Sequence, residues 1–224
     1  MEQKLLNTQK NINSSIVVAF DLHDVLFSFS AFGVLRTLWK LPYKSTLILH
    51  LFSPSFWKTY FATKKQALST ERRFGLLVTQ FPFLKKYRSN FIELCNQQRV
   101  DQKTLAYIKQ LKIAGYRLIV ASNIGENTYK DLAKRFPDVI ALFDYAFTSG
   151  KIAGYKKKPY HSYFVALRKY IHKNIVDGEH IVFIDNKRKN IRIAEKHGIC
   201  GIHFTSAEKL PGAFDKIITK FAAS

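Results

Sequence analysis

Two carboxylates, Asp21 and Asp185, each close a short apolar run, Ile16-Val17-Val18-Ala19-Phe20 and Ile181-Val182-Phe183-Ile184. A third run, Arg117-Leu118-Ile119-Val120-Ala121, ends in Ser122-Asn123, and the loop after 141–148 carries Lys156-Lys157-Lys158-Pro159. Asp21 and Asp185 together can hold a hard divalent cation such as Mg²⁺, which takes oxygen ligands and keeps several waters. A cation screens the charge of a phosphoryl group, so that a carboxylate can approach it, and Asp21 can then attack phosphorus as a nucleophile. Ser122 and a backbone N–H near Asn123 can hold a phosphoryl oxygen. A lysine from 156–158 can neutralise both the aspartate and the phosphoryl oxygens. Phosphoryl transfer asks mainly for positioning and charge neutralisation, and this set supplies both. Taken singly, each aspartate can instead cap a strand end and Ser122 can cap a helix. The chemical reading rests on all of them meeting.

They meet if the apolar runs are neighbouring parallel strands. The runs are short, β-branched and uncharged, as strands buried on both faces are. Helical patterns separate them. Asp101 is placed to cap a helix over 102–114, with Leu105, Ile108, Leu111 and Ile113 on its apolar face and Gly115 at its end. Further helices are expected over 126–136, stopped by Pro137, over 160–172, opened by Pro159, over 189–197, stopped by Gly198, and over 211–223. Strands are expected over 15–20, 117–121, 141–148, 181–184 and 200–204. Strands alternating with helices give an α/β fold: a Rossmann-like parallel sheet of about five strands with helices on both faces. The carboxyl ends of all its strands then lie along one edge, where ligands of such sheets bind.

Residues 27–100 interrupt this rhythm. They hold twelve Lys/Arg and two acids, Glu71 and Glu93, and many aromatics, among them Trp39, Phe52, Phe56, Trp57, Tyr60, Phe61, Phe81 and Phe83. Leu47, Ile48, Leu51, Phe52, Phe91, Ile92 and Leu94 recur at helical spacing, and Pro42, Pro54 and Pro82 punctuate the stretch. The expectation is an inserted set of short helices with an aromatic core. The core domain is then 1–26 and 101–224, with a polar tail over 1–15.

The composition bounds the rest. A chain of 224 residues that is 47% hydrophobic is long and apolar enough for a sizeable core, which excludes a disordered class. The formal charge of +20 favours anionic partners: phosphorylated substrates, nucleic acid or an acidic membrane surface. No uncharged apolar run of about 18 residues occurs, so no transmembrane helix is expected. The segment 1–15 lacks the apolar core of a signal peptide. Cys95 and Cys200 form no metal or redox spacing, and a reducing, cytoplasmic location is the simpler expectation. His161, His172, His180, His197 and His203 lack ligand spacing and are read as structural or surface residues.

The order Phe20-Asp21-Leu22-x-x-Val25-Leu26, Val120-Ala121-Ser122-Asn123, Lys158-Pro159 and Phe183-Ile184-Asp185-Asn186 followed by Asn190 resembles the four motifs of the haloacid dehalogenase (HAD) superfamily. The resemblance spans the chain apart from the tail and the insertion. It implies Asp21 as nucleophile, Mg²⁺ held by Asp21, Asp185 and the backbone carbonyl of His23, and Ser122 and Lys158 on the phosphoryl group. It also implies that 27–100 is the helical cap that selects substrate. Three positions depart from the family's pattern. His23 stands where the phosphatases usually have an aspartate serving as general acid and base; imidazole titrates near neutrality and can shuttle protons. Asp24 replaces a common glycine and is either the acid/base itself or a cap of the turn. Asn186 replaces a frequent second aspartate and lowers the negative charge at the metal. The first expectation is a Mg²⁺-dependent phosphatase acting on a phosphate monoester. The alternative is a degenerate member that binds an anionic partner such as nucleic acid without turnover, and dehalogenation ranks third.

Overall fold

The computed structural model describes residues 13–29, 36, 37, 39–41, 53–65, 70–150, 154, 156–175 and 180–222. Two compact units divide the chain: Met1–Ser28 with Val100–Asn123 and Ala133–Ser224, and Phe29–Arg99 with Ile124–Leu132.

The first unit is built on a five-stranded sheet. In chain order the strands among the described residues are β1 (Ile16–Phe20), β2 (Phe27–Phe29), β3 (Gln98–Val100), β4 (Arg117–Ser122), β5 (Tyr145–Thr148), β6 (His180–Asp185) and β7 (Cys200–His203). Five of them form the order β5-β4-β1-β6-β7, every pair parallel, while β2 and β3 pair with each other. The β1 residues are all buried, as are five of the six in β4 and in β6. That is why these runs are continuously apolar rather than alternating.

Side chains still alternate between the two faces of the sheet. Val17, Ala19, Ile119, Ala121, Phe147, Ile181 and Phe183 share one core with Tyr163, Phe164, Leu167 and Ile171 of α7 (His161–Asn174) and Ile191 and Ala194 of α8 (Arg188–Glu195). The alternate residues point to the other face, where α4 (Gln102–Ile113) lies against β4 and α9 (Leu210–Ala222) against β7. Asp101 caps α4 by accepting from Thr104 N–H at 2.7 Å, and Gly115 follows the helix with φ 92°. The fold is thus the parallel α/β arrangement that the sequence pattern predicts.

Several boundaries moved. Ser122 and Asp185 are the last residues of β4 and β6 rather than loop residues beyond them. The third strand is shorter than 141–148, beginning at Tyr145. Pro137 does more than stop α5 (Glu126–Arg135): it is the first residue of a short helix, α6 (Pro137–Ile140). Pro159 lies ahead of α7, whose N-cap is Tyr160. The pairing of β2 with β3 was not foreseen, because each is only three residues long. Within the expected tail, Asn13 is buried and donates to Ala114 O at 2.7 Å.

The second unit is helical: α1 (Pro54–Lys65), α2 (Thr70–Gln80), a 3₁₀ turn (Pro82–Tyr87) and α3 (Arg88–Cys95). Its core is Leu41, Phe56, Phe74, Leu77, Leu84 and Tyr87, with Phe81 and Phe91 packed on it. Phe56 meets Phe81 with ring centroids 5.5 Å apart, and Phe74 meets Phe91 at 5.1 Å. Phe56, Trp57, Tyr60, Phe81 and Phe83 thus pack on one another, as do Phe74 and Phe91, whereas Trp39 is exposed. The expected helical face through Leu47, Ile48, Leu51 and Phe52 lies outside the described residues.

Candidate active site

β1 ends at Phe20, and Asp21 extends its ladder by one step, donating its backbone N–H to Ile184 O at 2.9 Å. The register pairs Phe20 with Val120 on one side and Ile184 on the other. One residue further on, Asp21 falls beside Ala121 and Asp185. The order of strands reverses between β1 and β6, and a crevice opens at the carboxyl ends of strands at such a switch point.

The two carboxylates share one ammonium. Lys158 Nζ lies 3.0 Å from Asp21 Oδ2 and 2.6 Å from Asp185 Oδ2, and it donates to Ala121 O at 3.0 Å. Its charge also sits 5.1 Å from the centre of the Phe183 ring. Lys158 is buried, whereas Lys156 is exposed and Lys157 half-buried. Of the three lysines, Lys158 alone thus joins the two aspartates. Asn123 holds it there from behind: Lys158 N–H donates to Asn123 Oδ1 at 2.7 Å, and Asn123 Nδ2 donates to Lys158 O at 2.9 Å. This amide clamp ties the loop after β5 to the end of β4. The Asn123 side chain is therefore engaged with the backbone of Lys158.

Asp21 and Asp185 are in different surroundings. Burial pushes the Asp21 carboxyl up, but the Lys158 charge, the Ser122 hydroxyl and the Leu22 N–H, which donates to Oδ1 at 2.8 Å, together outweigh it. Asp21 is held below the usual carboxylate range. Asp185 is fully buried, and burial is the largest influence on it; with the neighbouring Asp21 charge it raises the Asp185 carboxyl despite Lys158. Asp185 Oδ1 accepts from Lys187 N–H at 2.8 Å, and Asn190 Nδ2 spans both oxygens at 2.9 and 2.8 Å. Two acids pushed apart in this way can take different tasks. Tyr163 lies beneath them; burial, then the charges of Asp21 and Asp185, raise its phenol well above 10, and it donates to Phe147 O at 3.2 Å.

The loop after Asp21 is a tight turn. Leu26 and Phe27 N–H groups both donate to Leu22 O, at 3.0 and 2.8 Å, and Asp24 N–H donates to Phe27 O at 2.7 Å. Asp24 has φ 59°, a left-handed conformation that glycine adopts freely and aspartate tolerates. This is the physical reason glycine suits that position. The Asp24 carboxylate is exposed and accepts from Asn186 Nδ2 at 3.4 Å; His23 is half-buried in the same turn.

The donor set fits Mg²⁺. Among the described residues no three His, Cys, Asp or Glu side chains converge, but Mg²⁺ commonly takes one or two carboxylates and completes its shell with water. Asp21 and Asp185 supply the carboxylates. Beside them Asn186 Oδ1 is buried without a hydrogen-bond partner, an oxygen of the kind a hard cation accepts.

Asn190 was noted in the sequence only as following Asp185. Its signal was the five-residue spacing, which places it in the first turn of α8, facing back to the end of β6. Nothing in the sequence marked Tyr163 as a neighbour of the two acids.

No protein-family model matches the chain, and no curated protein matches it. Solved structures do. A HAD family enzyme from Bacteroides thetaiotaomicron, in complex with magnesium and inorganic phosphate, superposes with a TM-score of 0.61 at 15% identity, over 84% of this chain and 93% of that one. The protein has the HAD fold. A predicted HAD-like family hydrolase from Porphyromonas gingivalis matches it at a TM-score of 0.59 and 19% identity, over 90% of this chain and 97% of its own. An L-2-haloacid dehalogenase from Xanthobacter autotrophicus, with chloropropionic acid covalently bound, matches at 0.52 and 12%, over 83% of this chain and 75% of its own. The HAD fold thus accounts for the sheet order, and the carboxyl-terminal edge of that sheet is where Asp21, Ser122, Lys158 and Asp185 meet.

Proposed function

We propose that the protein is a Mg²⁺-dependent phosphatase that cleaves a phosphate monoester through an aspartyl-phosphate on Asp21. The observation that carries this reading is the Lys158 ammonium shared by Asp21 and Asp185 at the end of the central strand. Asp21 is kept ionised by Lys158, Ser122 and Leu22 despite its burial, so it is a nucleophile at neutral pH. It attacks phosphorus, the P–O bond to the leaving group breaks, and the leaving oxygen takes a proton. His23 is the proposed donor of that proton and later the base that activates water; Asp24 is the competing candidate. Lys158 and Ser122 turn to the phosphoryl oxygens as charge builds on them, and Asn123 keeps the Lys158 backbone in place. Asp21, Asp185 and the His23 carbonyl would hold Mg²⁺, with Asn186 Oδ1 beside them. Bound there, the ion supplies charge neutralisation for the phosphoryl group.

Residues 27–100 are the proposed cap that selects substrate, and cytoplasmic residence, from cysteine usage, completes the reading. Hydrolysis of a generic aryl phosphate and of a panel of phosphorylated metabolites, with and without Mg²⁺, tests it. Mg²⁺-dependent turnover that Asp21→Asn abolishes is expected. Equal rates for the two proteins across the panel and a pH series would refute it.

A further inference from the structure

The outer face of α8 carries a row of cations. This helix starts at the site: Lys187, its N-cap, donates its N–H to Asp185 at 2.8 Å, and Asn190 in its first turn grips the same carboxylate. Its apolar side, Ile191 and Ala194, is buried in the core. Its other side carries Arg188, Lys189, Arg192 and Lys196, all exposed, with Glu195 as the single acid. Arg188, Arg192 and Lys196 stand four residues apart and so form one row on the helix. None of Arg188, Lys189, Arg192 and Lys196 makes an ion pair among the described residues. The row continues onto α7, because Arg168 Nη1 donates to His197 O at 2.8 Å. His161, the first residue of α7, hydrogen-bonds His197 across 2.9 Å and ties the two helices together. At the site end of α7 stands Tyr160, two residues from Lys158 and 69% exposed.

A row of cations that begins beside the site, with a bare aromatic ring on the adjoining α7, has the two features that single-stranded nucleic acids recognise: charge along a backbone and a face on which a base stacks. We propose that this face binds a single-stranded nucleic acid and that the strand's terminal phosphate is the group presented to Asp21. The inference rests on the phosphatase reading and adds its substrate class. Asp21 is only 6% exposed, so an end can reach it where an internal phosphodiester of a duplex cannot. The row offers four cations, Arg188, Lys189, Arg192 and Lys196, along a helix about 12 Å long. An acidic membrane is disfavoured because α8 turns no apolar side chain outward to enter a bilayer.

The test uses the full chain and single-stranded oligonucleotides with a 3′-phosphate, a 5′-phosphate or no terminal phosphate. Binding is read by fluorescence anisotropy and turnover by phosphate release, beside an aryl phosphate, inositol phosphates and acidic vesicles. The expected result is a preference for one phosphorylated end and an affinity falling with salt at a log–log slope of about −2 to −3, as three or four contacts to a single strand give. Charge reversal, Arg192→Glu with Lys196→Glu, lowers kcat/KM on the oligonucleotide about tenfold or more, and Tyr160→Ala lowers it about tenfold through lost stacking. Both leave aryl phosphate turnover unchanged. Indifference of the oligonucleotide to these substitutions, to salt or to its terminal phosphate overturns the proposal, as does preference for inositol phosphates or vesicles. If aryl phosphate is not hydrolysed at all, the phosphatase reading fails on its own evidence, while anisotropy still reports on the basic face.

Discussion

Lys158 Nζ lies closer to Asp185 than to Asp21, 2.6 Å against 3.0 Å, and so the lysine neutralises the Asp185 carboxylate at least as strongly as the proposed nucleophile. All three charges are buried. One ammonium between two carboxylates leaves a net negative charge, the condition under which a cation or a phosphoryl-bearing substrate has something to do there.

Removing that ammonium should be costly. Lys158→Met keeps the apolar stem but leaves two buried carboxylates facing each other, and the loss of one partner of a buried pair costs about 3–5 kcal/mol. Denaturant unfolding is expected to show this in metal-free buffer. Adding Asp185→Asn should recover part of the loss, since the repulsion goes with the charge. A simple sum of the two single effects would contradict the coupling.

Among the described residues Asn123 hydrogen-bonds the backbone of Lys158, through bonds of 2.7 and 2.9 Å. Asn123→Ala should therefore lower kcat/KM by about a hundredfold through misplacement of the lysine, with a stability loss of about 1–3 kcal/mol for two hydrogen bonds. Asn123→Asp restores only the bond from Lys158 N–H and should recover part of the rate. Kinetics beside thermal unfolding separate the two effects.

The proton carrier is open to a direct comparison. With His23 as acid and base, His23→Gln lowers kcat by about 10²–10⁴-fold and removes the limb of the pH profile nearest neutrality. Asp24→Asn, whose side chain still meets Asn186, keeps that limb. The reverse pattern assigns the role to Asp24.

Away from the site, Lys103 Nζ meets Glu208 Oε1 at 2.6 Å, joining α4 to the turn before α9. The Lys103 hydrogen bond, with the Glu208 N–H and the Ser206 hydroxyl, lowers the Glu208 carboxyl from 4.5 to about 2. A carboxyl lowered on folding stabilises above its unfolded value and loses that effect as pH falls towards the folded one. Glu208→Gln should therefore be slightly less stable at pH 7, with the difference closing between about pH 4.5 and 2. Because the pair is exposed the difference is small, and high salt should erase it. A melting-temperature gap that widens on acidification would contradict this.

The core of this protein was legible in its sequence because burial on both faces writes a plain signal. The runs at Ile16–Phe20 and at His180–Asp185 admit little but interior parallel strands, and their ends carry Asp21 and Asp185. Which lysine enters was not legible, since three adjacent lysines differ only in the course of the loop; the Asn123 clamp on Lys158 decides it. The bond from Asp24 to Asn186 joins residues 162 positions apart and leaves no local trace. Three-residue strands such as β2 and β3 are too short for alternation to show, and Tyr163 reads as an ordinary core aromatic until the fold places it under two acids.

The central claim is that Asp21 carries the phosphoryl group. Mass spectrometry of enzyme acid-quenched during Mg²⁺-supported turnover tests it most directly. A phosphoryl group is expected on the peptide containing Asp21, absent in Asp21→Asn and without Mg²⁺. Steady hydrolysis with no phosphoryl group on that peptide, or one carried elsewhere, would contradict it.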